Sequence, residues 1–443
     1  AALTASTSPS QPGAVVASTR LPPAQPQPAP AEAAAEVDPG YVLPVTDFRK
    51  EFETLTTNKA DAWSGSSPGQ ALNAVEFLEA ILIEHGVKHS GEIEQRHLAA
   101  VRHLFNEIAE NWGRSRRGPK TVLDLGFMRM RGERALQLRG KKGLSSLTVR
   151  KHLTNLDTFL THIRASGYEL SEKLSTGGPL RPKKPSKEAA KRKSEKPAAE
   201  LVQKTLMQLP IFSGCAGPGL PCFPTVPKSQ RLYVSGDQFY HCGTTLAPLA
   251  LHYSAARRDE ICNLDCEDIA YSGSIPVMHI RFSESKRVKT DQTERVLPIP
   301  DELLRLRFME YVDRIRELGF TKVFPDLFKP YSNTPPGNTL YDNLTTIIER
   351  SPAEFGGSQK KYWKRLIHAL RHGTNNTLFN LRVPEEFRNE LTGHAQTGTN
   401  SVVYRDEAHV EWLRELMRMV PVITSHMEVR PLRLLPVVER RDM

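Results

Sequence analysis

The stretch TTLAPLALHYSAARRDEICNLDCEDI, residues 244–269, changes character at its middle. Its first half is an apolar run that predicts a buried helix. The second half restarts after Ala256 as a charged helix, with Ile261 and Leu264 turned inward. At the junction stands Arg257, and Glu260 follows three residues on, within side-chain reach on one helical face. A carboxylate there can hold a guanidinium in one orientation. Taken alone, the same pair is an ordinary surface ion pair of little worth. Arg258 competes with Arg257, and the three-residue spacing to Glu260 selects Arg257.

Downstream, two alternating segments, VMHIRF (277–282) and ERVLPIP (294–300), flank the charged SESKRVKTDQT. They predict a β-hairpin or small sheet with a basic tip that carries Lys286 and Lys289. Lysines at such a tip commonly just keep an edge soluble. Helices are predicted over 301–318, 338–350, 361–380, 384–393 and 407–420. In IHALRHGTNN, His368 and Arg371 lie about 60° apart around one helix, so they can converge on a single anion or be unrelated polar positions. His394 follows Gly393 at a predicted loop, and Tyr404 comes ten residues later beside Val402 and Val403.

Upstream, residues 68–170 have helical periodicity throughout. Helices are predicted over 68–86, 92–112 and, more weakly, 121–138. A fourth opens at Ser145 or Ser146, buries Val149, Leu153, Leu156, Phe159, Leu160 and Ile163, and stops at Gly167. Arg150, Lys151 and His152 project from its other face, which is what a merely solvated helix commonly shows and also what a small DNA-gripping domain would show. Residues 1–40, with 11 Ala and 8 Pro, predict a disordered tail without the basic-then-apolar order of a secretory signal. Between the two folded regions, 171–200 carries nine basic residues against four glutamates. These include Lys183, Lys184, Lys191, Arg192 and Lys193. Such a stretch is a solvated linker, and between two DNA-gripping domains it can also lie along a phosphate backbone.

The 443 residues carry 60 Lys+Arg against 50 Asp+Glu, a formal charge of +10 that favours a polyanionic partner. No run of 18 or more apolar residues occurs, which excludes a membrane-spanning helix. Five scattered cysteines do not form a disulfide framework, so a reducing cytoplasm is expected. The spacing of Cys215, Cys222 and Cys242 matches no usual zinc site, and no phosphate-cradling nucleotide loop is present.

Each fragment is weak, but their order is specific. Arg-x-x-Glu, a Lys-bearing hairpin, His-x-x-Arg, Gly-His and a Tyr ten residues on resemble the tyrosine recombinase, or phage integrase, family. SAARRDEICNLDCEDI resembles the family's first arginine segment, VKTDQTERVLPIP its hairpin lysine segment, and LSSLTVRKHLTNLDTFL the last helix of its core-binding domain. The likeness spans roughly residues 92–425. Two departures stand out: Ala255 where a Gly is usual before the first Arg, and Thr392 where Leu is common before Gly393.

The resemblance implies a mainly α fold with a small antiparallel β-sheet. A helical, SAM-like core-binding domain (68–170) would be joined by the basic linker (171–200) to an α+β catalytic domain (201–425), with 426–443 as a tail in possible protomer contact. It implies Tyr404 as nucleophile, Arg257 and Arg371 as phosphate clamps, and His368 as an aid to proton transfer at the tyrosine. Lys289 would be the general acid, with Lys286 the competitor. His394 would bond a phosphate oxygen, and Glu260 would orient Arg257. It further implies double-stranded DNA as partner, a homotetramer on paired sites, possible accessory bending or directionality factors, and a bacterial, nucleoid-associated location. No metal or other cofactor is needed. Integration and excision of a mobile element is the favoured role. A type IB topoisomerase-like enzyme and a catalytically silent DNA-binding factor remain as alternatives.

Overall fold

The computed structural model describes residues 41–59, 67–108, 143–184, 186, 195–217, 232–281, 294–329, 332, 334–358, 362–394 and 407–441. They form two large hydrophobic cores, one from Leu43 to Leu174 and the other from Ala199 to Val438, and a small third cluster of Ile275, Val277 and Val410. The fold is mainly helical with one small antiparallel sheet, as the alternation of apolar periods predicts.

The first core is built by α1 (Phe48–Asn58), α2 (Ser67–Glu84), α3 (Gln95–Glu107) and α4 (Ser146–Ala165). Every residue of the stripe predicted for α4 is buried. The Ser145 hydroxyl caps that helix by accepting the Thr148 N–H at 3.2 Å, and Gly167 ends it at φ +85°. Helix α1 lies upstream of the predicted domain. Its three inward residues, Phe48, Phe52 and Leu55, are diluted by charge in FRKEFETL, yet Phe48 meets Phe159 edge-on at 5.4 Å. The predicted 121–138 helix and the 1–40 tail fall outside the described residues.

On α4 one expectation fails. His152 does not project outward with Arg150 and Lys151: it is 8% exposed, stacked on Phe105 and edge-on to Phe77. The imidazole is flat and uncharged enough to serve as an aromatic core residue, which hydrophobic periodicity does not register. Burial, and then the charge of Lys151, pull its pKa down to about 4.

The first half of the basic stretch is built into this helical unit. Leu174 and Thr176 are buried, the Gln95 amide donates to Ser175 O at 2.9 Å, and Arg102 Nε donates to Leu180 O at 3.0 Å. Arg150 donates to Pro182 O at 2.5 Å, so its guanidinium holds the chain that leaves the unit. Lys151 bonds the Gln70 side chain. Lys183 and Lys184 are exposed, whereas Lys191, Arg192 and Lys193 lie outside the described residues.

The second unit centres on α5 (Gly243–Ser254), in which every residue is buried. The chain then turns at Ala255, a left-handed residue (φ 53°, ψ 20°), and enters the short α6 (Arg258–Cys262). Strands β1 (Ile269–Ser272), β2 (Ile275–Ile280) and β3 (Arg295–Pro298) form an antiparallel sheet in chain order. The predicted hairpin is its β2–β3 pair, in register Met278 with Leu297. The predicted 301–318 helix is two, α7 (Asp301–Arg305) and α8 (Phe308–Glu317), because Arg307 is left-handed at φ 60°. There follow α9 (Pro336–Arg350), α10 (Leu366–Asn380), α11 (Glu385–Thr392) and α12 (Glu407–Arg418).

The C-terminal segment, a candidate for protomer contact, packs several of its residues on its own chain's core. Ile423, Met427, Leu434 and Val438 are buried there. Arg305 clamps Thr424 O and Met427 O at 2.9 and 2.8 Å, and the Ile423 N–H donates to the Tyr253 hydroxyl at 3.0 Å.

Candidate active site

The helix break at Ala255 is where the site begins. Arg257 is the N-cap of α6, and Glu260 is its third residue, so the Glu260 carboxylate reaches back to accept the Arg257 backbone N–H at 2.7 Å. Glu260 also accepts Arg257 Nη1 at 2.7 Å. This is no surface pair, because the Glu260 side chain is only 3% exposed. Arg258, the competing arginine, turns away to Asp259 at 3.0 Å.

A second guanidinium shares that carboxylate. Arg295, at the start of β3, donates to Glu260 from Nη2 at 2.8 Å and Nη1 at 3.2 Å, and also reaches Leu391 O. Burial alone would raise the Glu260 pKa, but the charge and hydrogen bonds of Arg295, then those of Arg257, outweigh it and hold the carboxyl at about 2. Arg295 appears in the sequence as a charged residue opening a short strand. Nothing but its place beyond the hairpin tip marks it.

Helix α11 ends at Gly393, whose φ of +61° suits glycine. A Cβ at that position would lie 2.5 Å from Arg295 Nη1 and 3.1 Å from Arg257 Nη1. Backbone and arginines can therefore approach closely, and Arg257 Nη2 donates to Gly393 O at 2.5 Å. The same turn delivers His394.

Arg371, from the middle of α10, completes the cluster. Its Nη1 donates to Ala255 O at 2.8 Å, and its Nη2 lies 3.0 Å from His394 Nε2. Since a guanidinium only donates, His394 Nε2 accepts and the imidazole proton sits on Nδ1. Burial, then Arg371 and Arg257, pull the His394 pKa down to about 4, so the ring is neutral at pH 7. Arg371 itself is 5% exposed. Burial and the charge of Arg257 lower its pKa to about 10, which still leaves it a cation. Among the described residues no carboxylate ion-pairs with it. The Glu260 charge acts on it without contact and offsets only part of the cost of burying a cation, and the rest falls away when an anion binds beside it.

Arg257, Glu260, Arg371 and His394 are thus brought together from chain segments far apart in sequence. His368 lies one turn before Arg371 on the exposed side of α10, with its pKa lowered by burial, then Arg371, Arg365 and Arg258. Its contact is with His372, a residue sequence reasoning passed over although it lies four positions on along the same helical face. Lys289, its competitor Lys286, and Tyr404 lie outside the described residues. Residues 281–294 connect β2 to β3, and α12 begins three residues after Tyr404 with Val410 packed on Ile275 and Val277.

One acidic cluster stands apart, Asp265, Glu267 and Asp268. Its charges are already answered: Arg281 pairs with Asp268 at 2.6 Å and Glu267 at 2.9 Å, and Lys322 with Asp265 at 2.6 Å. Cys215, Cys242, Cys262 and Cys266 are buried thiols. Among the described residues no helix is long and apolar enough to cross a membrane.

No protein-family model matches the sequence, and no curated protein matches it. Among solved structures, the chain is similar to the XerH site-specific recombinase bound to its difH substrate in a pre-cleavage complex. The two share 14% identity over 80% of this chain and 91% of that one, with a TM-score of 0.42.

Proposed function

We propose that this chain is a site-specific DNA recombinase of the tyrosine class, which cuts and rejoins duplex DNA through a 3′-phosphotyrosine. The observation that carries the reading is Arg371. It is a buried guanidinium with no carboxylate partner among the described residues, set beside Arg257 and a neutral His394. Two planar forks and an imidazole suit the non-bridging oxygens of one phosphodiester. They act most strongly on the charge that grows in a pentacoordinate transition state, where one donor is worth roughly 10²–10³ in rate.

In the proposed step the Tyr404 oxygen attacks the scissile phosphorus and its proton passes to His368. The bond from phosphorus to the 5′ oxygen breaks, and Lys289 protonates the departing hydroxyl. The phosphodiester energy is kept in the new bond, so another 5′-hydroxyl reverses the step without ATP. Glu260 takes no part in the transfer and serves to hold Arg257. Double-stranded DNA is the substrate, a homotetramer on paired sites the working assembly, and integration or excision of a mobile element the role.

The test is covalent trapping on a pool of nicked duplexes with randomised sequence around the nick. The wild type is expected to yield denaturation-resistant protein–DNA complexes enriched in one sequence. Tyr404→Phe should yield none while still binding duplex. Equal trapping by Tyr404→Phe, or efficient relaxation of a supercoiled plasmid with no site requirement, would overturn the reading.

A further inference from the structure

His368 and His372 lie one turn apart on α10, with their Nε2 atoms 2.9 Å from each other and their ring planes 82° apart. That distance is a hydrogen bond, and between two imidazoles it has a strict consequence. One Nε2 must carry a proton and the other must not, because two N–H groups or two lone pairs would repel. The rings are therefore opposite tautomers. The donor is bare at Nδ1, and the acceptor is protonated there.

The surroundings limit the pair to one added proton. Arg371 and Arg365 face it from α10 and the turn before, Arg258 from α6, Lys196 from the segment leading into the second unit, and His394 from beyond α11. All of these are cationic or neutral, so a doubly protonated pair would stand against several positive charges with no carboxylate among them. Two rings coupled this closely take up and release protons as one unit.

We propose that His372 is the positioning residue of His368, holding it with Nε2 protonated and Nδ1 bare, so that the pair relays one proton at a time. A proton arriving at His368 Nδ1 sends the Nε2 proton across the 2.9 Å contact to His372 Nε2, and His372 releases its own Nδ1 proton toward solvent. One proton enters and one leaves, and nothing is oxidised or reduced. Because the relay returns His368 to a neutral ring, no imidazolium has to persist next to Arg371. This inference rests on the reading of His368 as the proton acceptor of the recombinase step.

The experiment uses the full chain and two independent readouts. Ring-nitrogen NMR at neutral pH is expected to show His368 as the Nε2–H tautomer and His372 as the Nδ1–H tautomer. In His372→Asn the covalent-complex rate on nicked duplex should fall about ten- to a hundredfold, less than the roughly 10²–10⁴ of a direct general acid–base group because His368 itself remains. Its pH profile should also move, with melting temperature and duplex affinity unchanged. His372→Gln, with an amide of longer reach, should recover part of the rate. Identical tautomers in the wild type, or a His372→Asn enzyme with unaltered rate and pH profile, would overturn the proposal. If the wild type traps no duplex at all, the recombinase reading fails, and the tautomer measurement still decides the histidine pair.

Discussion

Replacing Glu260 by Gln removes one charge and almost no volume, and the structure sets the size of the effect. The carboxylate accepts four N–H donors, the Arg257 backbone and Nη1 and both Arg295 Nη groups, at 2.7–3.2 Å. A glutamine offers one acceptor oxygen and turns an NH₂ toward a guanidinium. Leaving such a charge buried without its partner costs about 3–5 kcal/mol. A second route gives the same scale: lowering the Glu260 pKa from 4.5 to about 2 corresponds to about 3 kcal/mol. The sign follows, since a depressed carboxyl pKa contributes stability that is fully present above pH 4.5 and lost as pH falls toward 2. The assay is urea unfolding of the second unit at pH 7, where Glu260→Gln should lose about 3 kcal/mol or roughly 10 °C in melting temperature. Arg257 would be released with it, so covalent trapping should fall as well. A loss under about 1 kcal/mol, the worth of an exposed pair, would refute the role given to Glu260.

Two further outcomes follow from backbone and burial. Ala255 holds a left-handed turn and is fully buried, so Ala255→Val, β-branched and larger, should cost about 2–3 kcal/mol. Ala255→Gly should stay within about 1 kcal/mol of wild type, because relief of the turn offsets a lost methyl; equal melting temperatures for the two variants would refute this. His152, His241 and His252 are buried with pKa values pulled down to about 4, chiefly by burial. An imidazole held neutral below its ordinary 6.5 stabilises the fold fully above that pH and progressively less toward pH 4, by at most about 3 kcal/mol per ring. Urea midpoints should therefore fall between pH 7 and pH 5, and a flat profile would contradict the assignment.

Periodicity located most of the helices, and for a physical reason. Long amphipathic helices such as α4 print their buried face into the sequence, whereas α1 and β1 are short and mixed enough to escape notice. The site was legible where local spacing matches local geometry, as in Arg257 and Glu260 around one helix start. Arg295 was not, because its partners, Glu260 and Leu391, come from distant segments and no local pattern reports them. His152 was misplaced since a neutral imidazole can pack as an aromatic ring. His372 was in plain view at helical spacing from His368, but a histidine pair carries no meaning until the ring nitrogens are seen to meet.

The way the second core closes bears on how the chain is made. Arg257 waits 136 residues for Gly393, and the Ala255 carbonyl 116 for Arg371. The core beneath them is completed only by Ile423, Met427, Leu434 and Val438. During synthesis, then, the arginine–histidine cluster stays unassembled until nearly the whole unit has left the ribosome. A nascent or prematurely terminated chain would hold its basic segments without the assembled cluster of Arg257, Arg371 and His394. Assembly order in this fold ties that cluster to synthesis of the last residues of its core.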